Sequence, residues 1–138
     1  MITEQSQLPM VLYVEDNHDN LKLIRRILTA YDFEVHGAMD GPEAFAFLEE
    51  HTPDLILIDI NLPGMDGYTI TRKIRQMERF TQTPIIALTA NVMKADRQKS
   101  RAAGCDGFIQ KPVDIDTLPN QLRLFLNKQN GYTINAPL

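Results

Sequence analysis

Three carboxylates, a hydroxyl and an amine stand directly after short apolar runs in this sequence. Glu15 and Asp16 follow the first run, Asp59 the third, Thr89 the fourth and Lys111 the fifth. Three carboxylates at one point repel each other, so a cation must compensate their charge or their protons must stay on. If the chain brings these run ends together, the pattern predicts a cation site beside a reactive acid.

The ligand types favour a hard divalent cation. The cluster offers oxygen donors without a neighbouring His or Cys, and Mg2+ is typically held by one or two carboxylates together with waters and phosphate. We expect Asp16 and Asp59 to ligate Mg2+ directly and Glu15 to act through water. The backbone carbonyl of Asn61 is a candidate for a further ligand. Mn2+, which accepts the same oxygen ligands, is expected to substitute for Mg2+.

The remaining polar groups suit phosphate. Lys111 supplies a flexible point charge for phosphate oxygens, and Thr89 supplies a hydroxyl donor. Phosphoryl transfer mainly requires positioning and charge neutralisation. A carboxylate nucleophile would form a covalent aspartyl phosphate, and Asp59 is the candidate because it ends the most apolar run. Each residue alone is more often a cap or turn former, so the prediction depends on their joint placement.

Five apolar runs alternate with segments of helical character. The third run, Leu55–Ile58, shows no polar alternation, which is typical of a central parallel strand covered on both faces. Strand–helix alternation predicts an α/β fold with a parallel sheet and right-handed crossovers. In such sheets ligands bind beyond the carboxyl ends of the strands. The predicted strands are Met10–Val14, Glu34–Ala38, Leu55–Ile58, Ile85–Leu88 and Gly107–Ile109.

Apolar residues at helical spacing form stripes between the predicted strands. Met39 and Asp40 follow the second strand without an obvious partner. The stripes are Leu21, Ile24, Leu28 and Tyr31, and then Ile70, Ile74 and Met77, with further helices expected over Gly41–Glu50 and Met93–Ala103.

Length and composition indicate one globular domain of 138 residues. The net charge of −4 disfavours a nucleic-acid partner, which requires clustered cations. The single cysteine, Cys105, cannot form an intramolecular disulfide and is expected to be a small buried apolar residue. Without a signal-like or membrane-length apolar run, we expect no membrane insertion and a cytoplasmic protein. The expected organisation is a flexible segment over 1–8, a domain over 9–126 and a tail over 127–138.

Four sequence motifs, in this order and spacing, resemble the response-regulator receiver domains of two-component signalling over nearly the whole chain. They are Leu-Tyr-Val-Glu-Asp-Asn at 12–17, Asp-Leu-Ile-Leu-Ile-Asp-Ile-Asn-Leu-Pro-Gly-Met-Asp-Gly at 54–67, Pro-Ile-Ile-Ala-Leu-Thr-Ala at 84–90, and Gly-Cys-Asp-Gly-Phe-Ile-Gln-Lys-Pro at 104–112. The resemblance implies a flavodoxin-like, doubly wound, five-stranded parallel sheet of order 2-1-3-4-5 with five helices. It also implies that Asp59 is the phosphoacceptor, that Lys111 contacts the phosphate, and that the bond before Pro112 is cis.

The resemblance also implies a switch and partners. Thr89 would move toward the phosphoryl group while the ring of Phe108 rotates into the vacated space, changing the surface of the fourth helix, fifth strand and fifth helix. A histidine kinase or a histidine phosphotransfer protein would donate the phosphoryl group. An unknown downstream protein would read the switched state, and the chain would catalyse only its own phosphorylation and dephosphorylation.

Two positions depart from the expected pattern. Glu15 stands where the family often has Asp. Pro119 would break a fifth helix that began at Asp114, so either Thr117 is the N-cap or the helix is kinked.

The histidines and glycines have simpler interpretations than catalysis. His18 is expected to be a cationic neighbour of the acids, His36 to lie on an edge strand, and His51 to meet the carbonyl end of the second helix. The glycines at 64, 67, 104 and 107 form no phosphate-loop motif and are expected to serve turns that need permissive backbone angles.

Three alternatives to a stand-alone phosphorelay receiver remain open. The chain could be a receiver fragment of a hybrid histidine kinase. It could be a magnesium-dependent aspartyl-phosphate phosphohydrolase, although Asn61 occupies the position where such enzymes often carry an acid. It could also be an interaction module with a vestigial pocket.

Overall fold

The computed structural model describes residues 7–90 and 94–127, which form five strands, five α-helices and a short 3-10 helix over Glu78–Phe80. None of the described helices is long and apolar enough to cross a bilayer. Most of the predicted end segments 1–8 and 127–138, and the predicted helix start at Met93, lie outside the described residues. The strands are β1 (Met10–Val14), β2 (Glu34–Ala38), β3 (Leu55–Asp59), β4 (Ile85–Thr89) and β5 (Gly107–Gln110); the helices are α1 (His18–Ala30), α2 (Gly41–Glu50), α3 (Gly67–Arg75), α4 (Lys94–Ala103) and α5 (Leu118–Leu126).

The strands form one parallel sheet of order β2-β1-β3-β4-β5, which confirms the predicted topology. The strand order reverses at β1, which pairs with both β2 and β3. Because all strands run the same way, their carboxyl ends share one edge of the sheet. The point of reversal therefore places the ends of β1 and β3 side by side, where doubly wound sheets bind ligands.

Two hydrophobic cores cover the two faces of the sheet. Helices α2 and α3 enclose the α2–α3 core, and helices α1 and α5 enclose the α1–α5 core on the opposite face. All five residues of β3 are buried, because successive side chains enter opposite cores. Burying each large aliphatic side chain stabilises the fold by about 1.5–3 kcal/mol, which explains why the central strands lack alternation. The chief helical contributors are Ala44, Leu48, Ile70 and Ile74 in the first core, and Ile24, Leu28, Leu118, Leu122 and Phe125 in the second.

Short polar side chains begin three of the helices. The caps Asn17, Asp40 and Asp66 each accept a hydrogen bond of 2.9 Å from the backbone amide three residues later. Such a cap satisfies one of the amides that has no partner within the helix. Asp40, which the sequence left without a partner, is therefore the cap of α2. Because Asn17 caps α1, the neighbouring Asp16 is not the capping side chain.

The structure corrects two helical predictions and decides a third. Tyr31 lies past the end of α1 and is 55% exposed, because the backbone at Asp32 turns to a positive φ of 69°. Met77 lies past the end of α3, although it still packs on the α2–α3 core. Thr117 is the N-cap of α5 and Pro119 lies in its first turn, where a missing amide proton costs no helical hydrogen bond.

The Arg75 guanidinium joins three segments near the end of α3. It donates hydrogen bonds to the carbonyl oxygens of Gly104 (2.9 Å), Phe80 (2.7 Å) and Thr83 (2.7 Å). It also pairs with an Asp106 carboxylate oxygen at 2.7 Å, and both side chains are about one-fifth exposed. Arg75 thus connects the end of α3 to the turn before β5 and to the segment before β4.

The two ends of the described chain meet at the amino-terminal edge of the sheet, opposite the strand ends described above. A cleft of about 470 Å³ there is lined by residues of both ends, including Pro9 and Asn127, and by Asp54 and Arg123. Asp54 accepts a hydrogen bond from the Met10 amide at 2.8 Å and donates its own amide to the Met10 carbonyl at 2.7 Å. These bonds fix the start of β1 against the start of β3.

Candidate functional site

Alternation along the strands divides the predicted site residues between the two faces of the sheet. Glu15, Asp59 and Lys111 each fall two residues after a side chain of the α1–α5 core, so they lie on that face. Thr89 falls two residues after Ala87 of the α2–α3 core and lies on the opposite face. The strand ends thus converge as predicted, with the three charged groups together and the hydroxyl on the other side of the sheet edge.

The predicted acid cluster is present. One carboxylate oxygen from each of Glu15, Asp16 and Asp59 lies within 4.8 Å of the other two. Within residues 7–90 and 94–127, this is the one group of three or more acids, histidines or cysteines close enough to hold a metal ion together. Glu15 is 1% exposed and Asp59 is 4% exposed, whereas Asp16 is open to solvent. The cluster therefore has one member open to solvent and two that are buried.

Lys111 bridges the two buried acids. Its ammonium lies 3.0 Å from Asp59 Oδ2 and 3.4 Å from Glu15 Oε1. Burial lowers the pKa of Lys111, but the hydrogen bond and charge of Asp59, aided by Glu15, outweigh this and leave the pKa above its ordinary value. Lys111 is therefore a fixed positive charge at neutral pH, beside the carboxylate that ends β3.

Glu15 is held by donors on both of its oxygens. The Tyr13 hydroxyl donates to Oε1 at 2.8 Å, and the Asn17 amide donates to Oε2 at 3.2 Å. Burial raises the pKa of Glu15 above its ordinary value; the Tyr13 hydrogen bond lowers it in part, and the charge of Asp59 raises it further. Burial and the Glu15 carboxylate also raise the pKa of Tyr13, so its hydroxyl keeps its proton and acts as donor.

Sequence reasoning missed Tyr13. The residue lies on a buried strand, where an aromatic side chain is normally read as core, and its ring does belong to the α1–α5 core. The available signal was its position two residues before Glu15, because residues i and i+2 of a strand project from the same face.

Thr89 and Phe108 share one face of neighbouring strands. In the β4–β5 register Ala87 pairs with Phe108 and Thr89 pairs with Gln110, so Thr89 and Phe108 are diagonal neighbours on the face of the α2–α3 core. Both are buried, and the Phe108 ring packs into that core. Ala90, next in the chain, is exposed and lines a cleft of about 370 Å³ together with Tyr13 and Lys111.

The loops after β3 and β5 hold the site from two sides. The Asn61 amide donates to Asp59 Oδ1 at 3.0 Å, which orients the carboxylate. The peptide bond between Lys111 and Pro112 is cis, as the resemblance implies. Gly67 begins α3 against this loop, and a Cβ on it would lie 2.7 Å from the Asp59 carbonyl oxygen.

Two of the four glycine predictions are wrong. Positive φ angles occur at Gly64 and Gly104, as expected, but not at Gly67 or Gly107. Gly67 is needed for space rather than for backbone angle, because a side chain there would collide with the end of β3.

None of the three histidines, all of which lie in the described part of the chain, belongs to the acid cluster. His36 is on the edge strand β2 and pairs with Glu34 at 2.6 Å, and His51 approaches the Phe47 carbonyl at 3.3 Å, as expected for a residue at a helix end. His18 is the exposed first residue of α1. Cys105 is buried, and burial raises its pKa to about 11, which agrees with its interpretation as an unreactive apolar residue.

The chemistry of the donors suits a hard cation. All three side chains of the cluster offer carboxylate oxygens, and the exposed Asp16 gives an ion access to the two buried acids. Three negative charges against the single ammonium of Lys111 leave a deficit that a divalent ion would neutralise. The residues present therefore fit Mg2+.

Comparison with known proteins decides the family. The sequence profile of the response regulator receiver domain matches residues 11–123. The chain belongs to the response regulator receiver domain family. Receivers are phosphoacceptor signalling domains of two-component systems rather than enzymes that turn over a separate substrate.

Relatives of this receiver are similar over most of its length. The polar-differentiation response regulator DivK of Brucella ovis is 37% identical over 116 residues, covering 84% of this chain and 94% of DivK. The chemotaxis response regulator CheY4 of Vibrio cholerae superimposes with a TM-score of 0.83 at 29% identity, covering 86% of this chain and 99% of CheY4.

A third relative has a metal in its site. The receiver domain of the sensor histidine kinase PA1611 from Pseudomonas aeruginosa is 36% identical, with a TM-score of 0.80 over 87% of this chain and 98% of that domain. Its structure was solved with a magnesium ion coordinated in the active-site cleft.

Proposed function

We propose that this receiver accepts a phosphoryl group on Asp59 from a histidine kinase or a histidine phosphotransfer protein. The observation that carries the proposal is the position of the Asp59 carboxylate at the end of β3, where it belongs to the acid cluster and lies 3.0 Å from the Lys111 ammonium. The main electrostatic requirement of phosphoryl transfer is neutralisation of the phosphoryl oxygens, which the Lys111 ammonium and a cation held by the acid cluster would supply on either side of Asp59.

The proposed reaction forms one bond and breaks one. An Asp59 carboxylate oxygen attacks the phosphorus atom of a phosphohistidine, an O–P bond forms, and the P–N bond to the donor imidazole breaks. The electron pair of that bond stays on the imidazole nitrogen. Lys111 and the Thr89 hydroxyl hold phosphoryl oxygens, while the Asn61 amide keeps the Asp59 carboxylate oriented.

Magnesium, held by Asp16, Asp59 and the Asn61 carbonyl, with Glu15 acting through water, would supply charge neutralisation for the transferring group. Mn2+ is expected to replace it, because both ions prefer oxygen ligands. These assignments follow from the donor types and from the convergence of the three acids.

We propose that Thr89 and Phe108 relay the phosphorylated state to the surface formed by α4, β5 and α5. Their diagonal placement on one face supports this, because movement of Thr89 toward a phosphoryl group would free space next to the buried Phe108 ring. A complete two-state shift requires about 5.5 kcal/mol of differential free energy. One charge-assisted hydrogen bond contributes about 1.5–3 kcal/mol, so Lys111 and repacking around Phe108 must contribute the rest.

The direct test is phosphorylation by a small acyl-phosphate donor with MgCl2, read by intact mass spectrometry. We expect the mass of one phosphoryl group to be added to the wild type. Asp59→Asn should abolish the gain, because an amide is not a nucleophile here. The matched control Asp54→Asn, at the opposite edge of the sheet, should retain it. No gain by the wild type with any donor would favour a vestigial pocket instead.

A receiver within a hybrid histidine kinase is the second candidate, and the likeness to the PA1611 receiver domain favours it. The likeness to DivK, a response regulator most of whose length this chain covers, favours a response regulator. Family membership disfavours the phosphohydrolase.

We further propose that the protein acts in the cytoplasm, where the kinase domains that phosphorylate receivers work, and that its output is a protein partner rather than nucleic acid.

A further inference from the structure

The Tyr13 hydroxyl makes a contact that the proposed phosphotransfer does not use. Tyr13 is 1% exposed, and its hydroxyl reaches forward along β1 to Glu15 Oε1 at 2.8 Å. The same oxygen receives the more distant Lys111 ammonium at 3.4 Å. Removing Tyr13's hydroxyl would leave Oε1 with this one long contact.

The Lys111 contact to Glu15 is expected to weaken when Asp59 is phosphorylated. Lys111 is shared between Glu15 and Asp59. Under the proposed function, on which this inference rests, a phosphoryl group on Asp59 recruits that ammonium. Glu15 Oε1 then depends on Tyr13 to stay in place, because the Asn17 amide holds only the other oxygen.

We infer that Tyr13 is a positioning residue for the metal site, and that its hydroxyl is matched to the length of the glutamate at position 15. Hydrogen bonds that hold outer-shell groups in place commonly change metal affinity by about 10–100-fold. Because Glu15 is proposed to act on the ion through water, we expect the effect of Tyr13 at the lower end of that range. An aspartate at position 15 would be shorter by one methylene, about 1.5 Å, and would leave the 2.8 Å bond unmade.

A double-mutant cycle tests the inference by calorimetric titration with MgCl2, which measures binding without phosphotransfer. Tyr13→Phe should weaken Mg2+ binding roughly tenfold in the wild type. In the Glu15→Asp background the same change should alter affinity by less than about twofold, because the hydroxyl no longer reaches the carboxylate. Tyr31→Phe, which removes the hydroxyl of the exposed tyrosine, is the matched control and should bind as the wild type does.

The outcomes separate this inference from the proposed function. An equal loss of affinity from Tyr13→Phe in both backgrounds would mean that the hydroxyl does not act through the Glu15 carboxylate. No loss in either background would mean that the hydroxyl does not contribute to metal binding. Each result overturns the inference while leaving the receiver function standing. Absence of Mg2+ binding by the wild type would overturn the proposed metal site and this inference with it. Far-UV circular dichroism of each variant, in which the buried ring is retained, confirms that the fold is intact.

Discussion

At the scale of single residues, the surroundings of Glu15 disfavour the ionised form of its carboxyl group. Burial is the largest cause of its raised pKa, and the nearby Asp59 charge adds to it. An acid whose pKa is higher in the folded protein than in the unfolded chain binds its proton more tightly when folded. Its ionisation therefore destabilises the metal-free protein at neutral pH, and protonation removes this penalty as the pH falls.

Replacing Glu15 by Gln should stabilise the metal-free protein more at pH 7.5 than at pH 5.5. At the higher pH the wild type carries the penalised carboxylate, whereas at the lower pH a larger fraction is protonated and resembles the amide. Melting temperatures in EDTA at both pH values measure the difference between variant and wild type. A difference that widens on acidification would contradict the raised pKa. Glu49→Gln, on the exposed face of α2, is the control and should show no such trend.

Sequence could predict the convergence of the candidate site residues because each is a polar group at the end of an apolar run. Glu15, Asp16, Asp59 and Lys111 come together for that reason. The Tyr13 hydroxyl bond could not be read in the same way, since an aromatic residue on a buried strand has an equally good explanation as core. Its polar atom is distinguished by a contact distance, which residue types and spacing do not contain.

At the scale of elements, the predicted strands β3, β4 and β5 each end one residue too early. Their last residues are Asp59, Thr89 and Gln110, which are polar but still paired in the ladder. Hydrophobic patterning stops at the last apolar side chain, whereas the strand continues while its backbone remains hydrogen-bonded. The discrepancy falls on the edge that carries the candidate site, because polar side chains end these strands there.

The Arg75 contacts are also beyond sequence reasoning, since they join α3 to residues as distant as Asp106. Replacing Arg75 by Met should lower the free energy of unfolding by about 2–3 kcal/mol, because it leaves several carbonyl oxygens and one carboxylate without this donor. Urea denaturation followed by circular dichroism measures the change.

Two further variants sharpen this prediction. Arg72→Met, which removes an exposed cation from the same helix, should cost less than about 0.5 kcal/mol. Arg75→Lys should restore little, since an ammonium cannot reproduce the planar set of donors. Equal stability of Arg75→Met and Arg72→Met would show that the guanidinium contacts contribute nothing to the fold.

At the scale of the whole molecule, the sheet divides the interior into the α2–α3 and α1–α5 cores. Strands β3 and β4 lie in the middle and are buried along their whole length, whereas β2 is an edge strand with an exposed first residue. The overall topology was predictable because each buried strand is a nearly continuous apolar run, and because crossovers of parallel strands have one hand.

Amide hydrogen exchange should be slowest in β3 and β4 and faster in β2. Exchange from a buried central strand requires near-global unfolding, whereas an edge strand can open locally. Mass spectrometry of peptides covering 55–59, 85–89 and 34–38 gives the order directly. Exchange from β3 as fast as from β2 would contradict a shared central core.

The two described chain ends meet beside Pro9 and Asn127, at the edge of the sheet opposite Asp59. Fluorescent reporters attached at positions 9 and 127 would therefore lie close to each other and away from Asp59. Residues 9–127 are thus suited to grafting: a host protein could carry them as an insert between neighbouring positions of a surface loop, with Asp59 at the far edge of the domain.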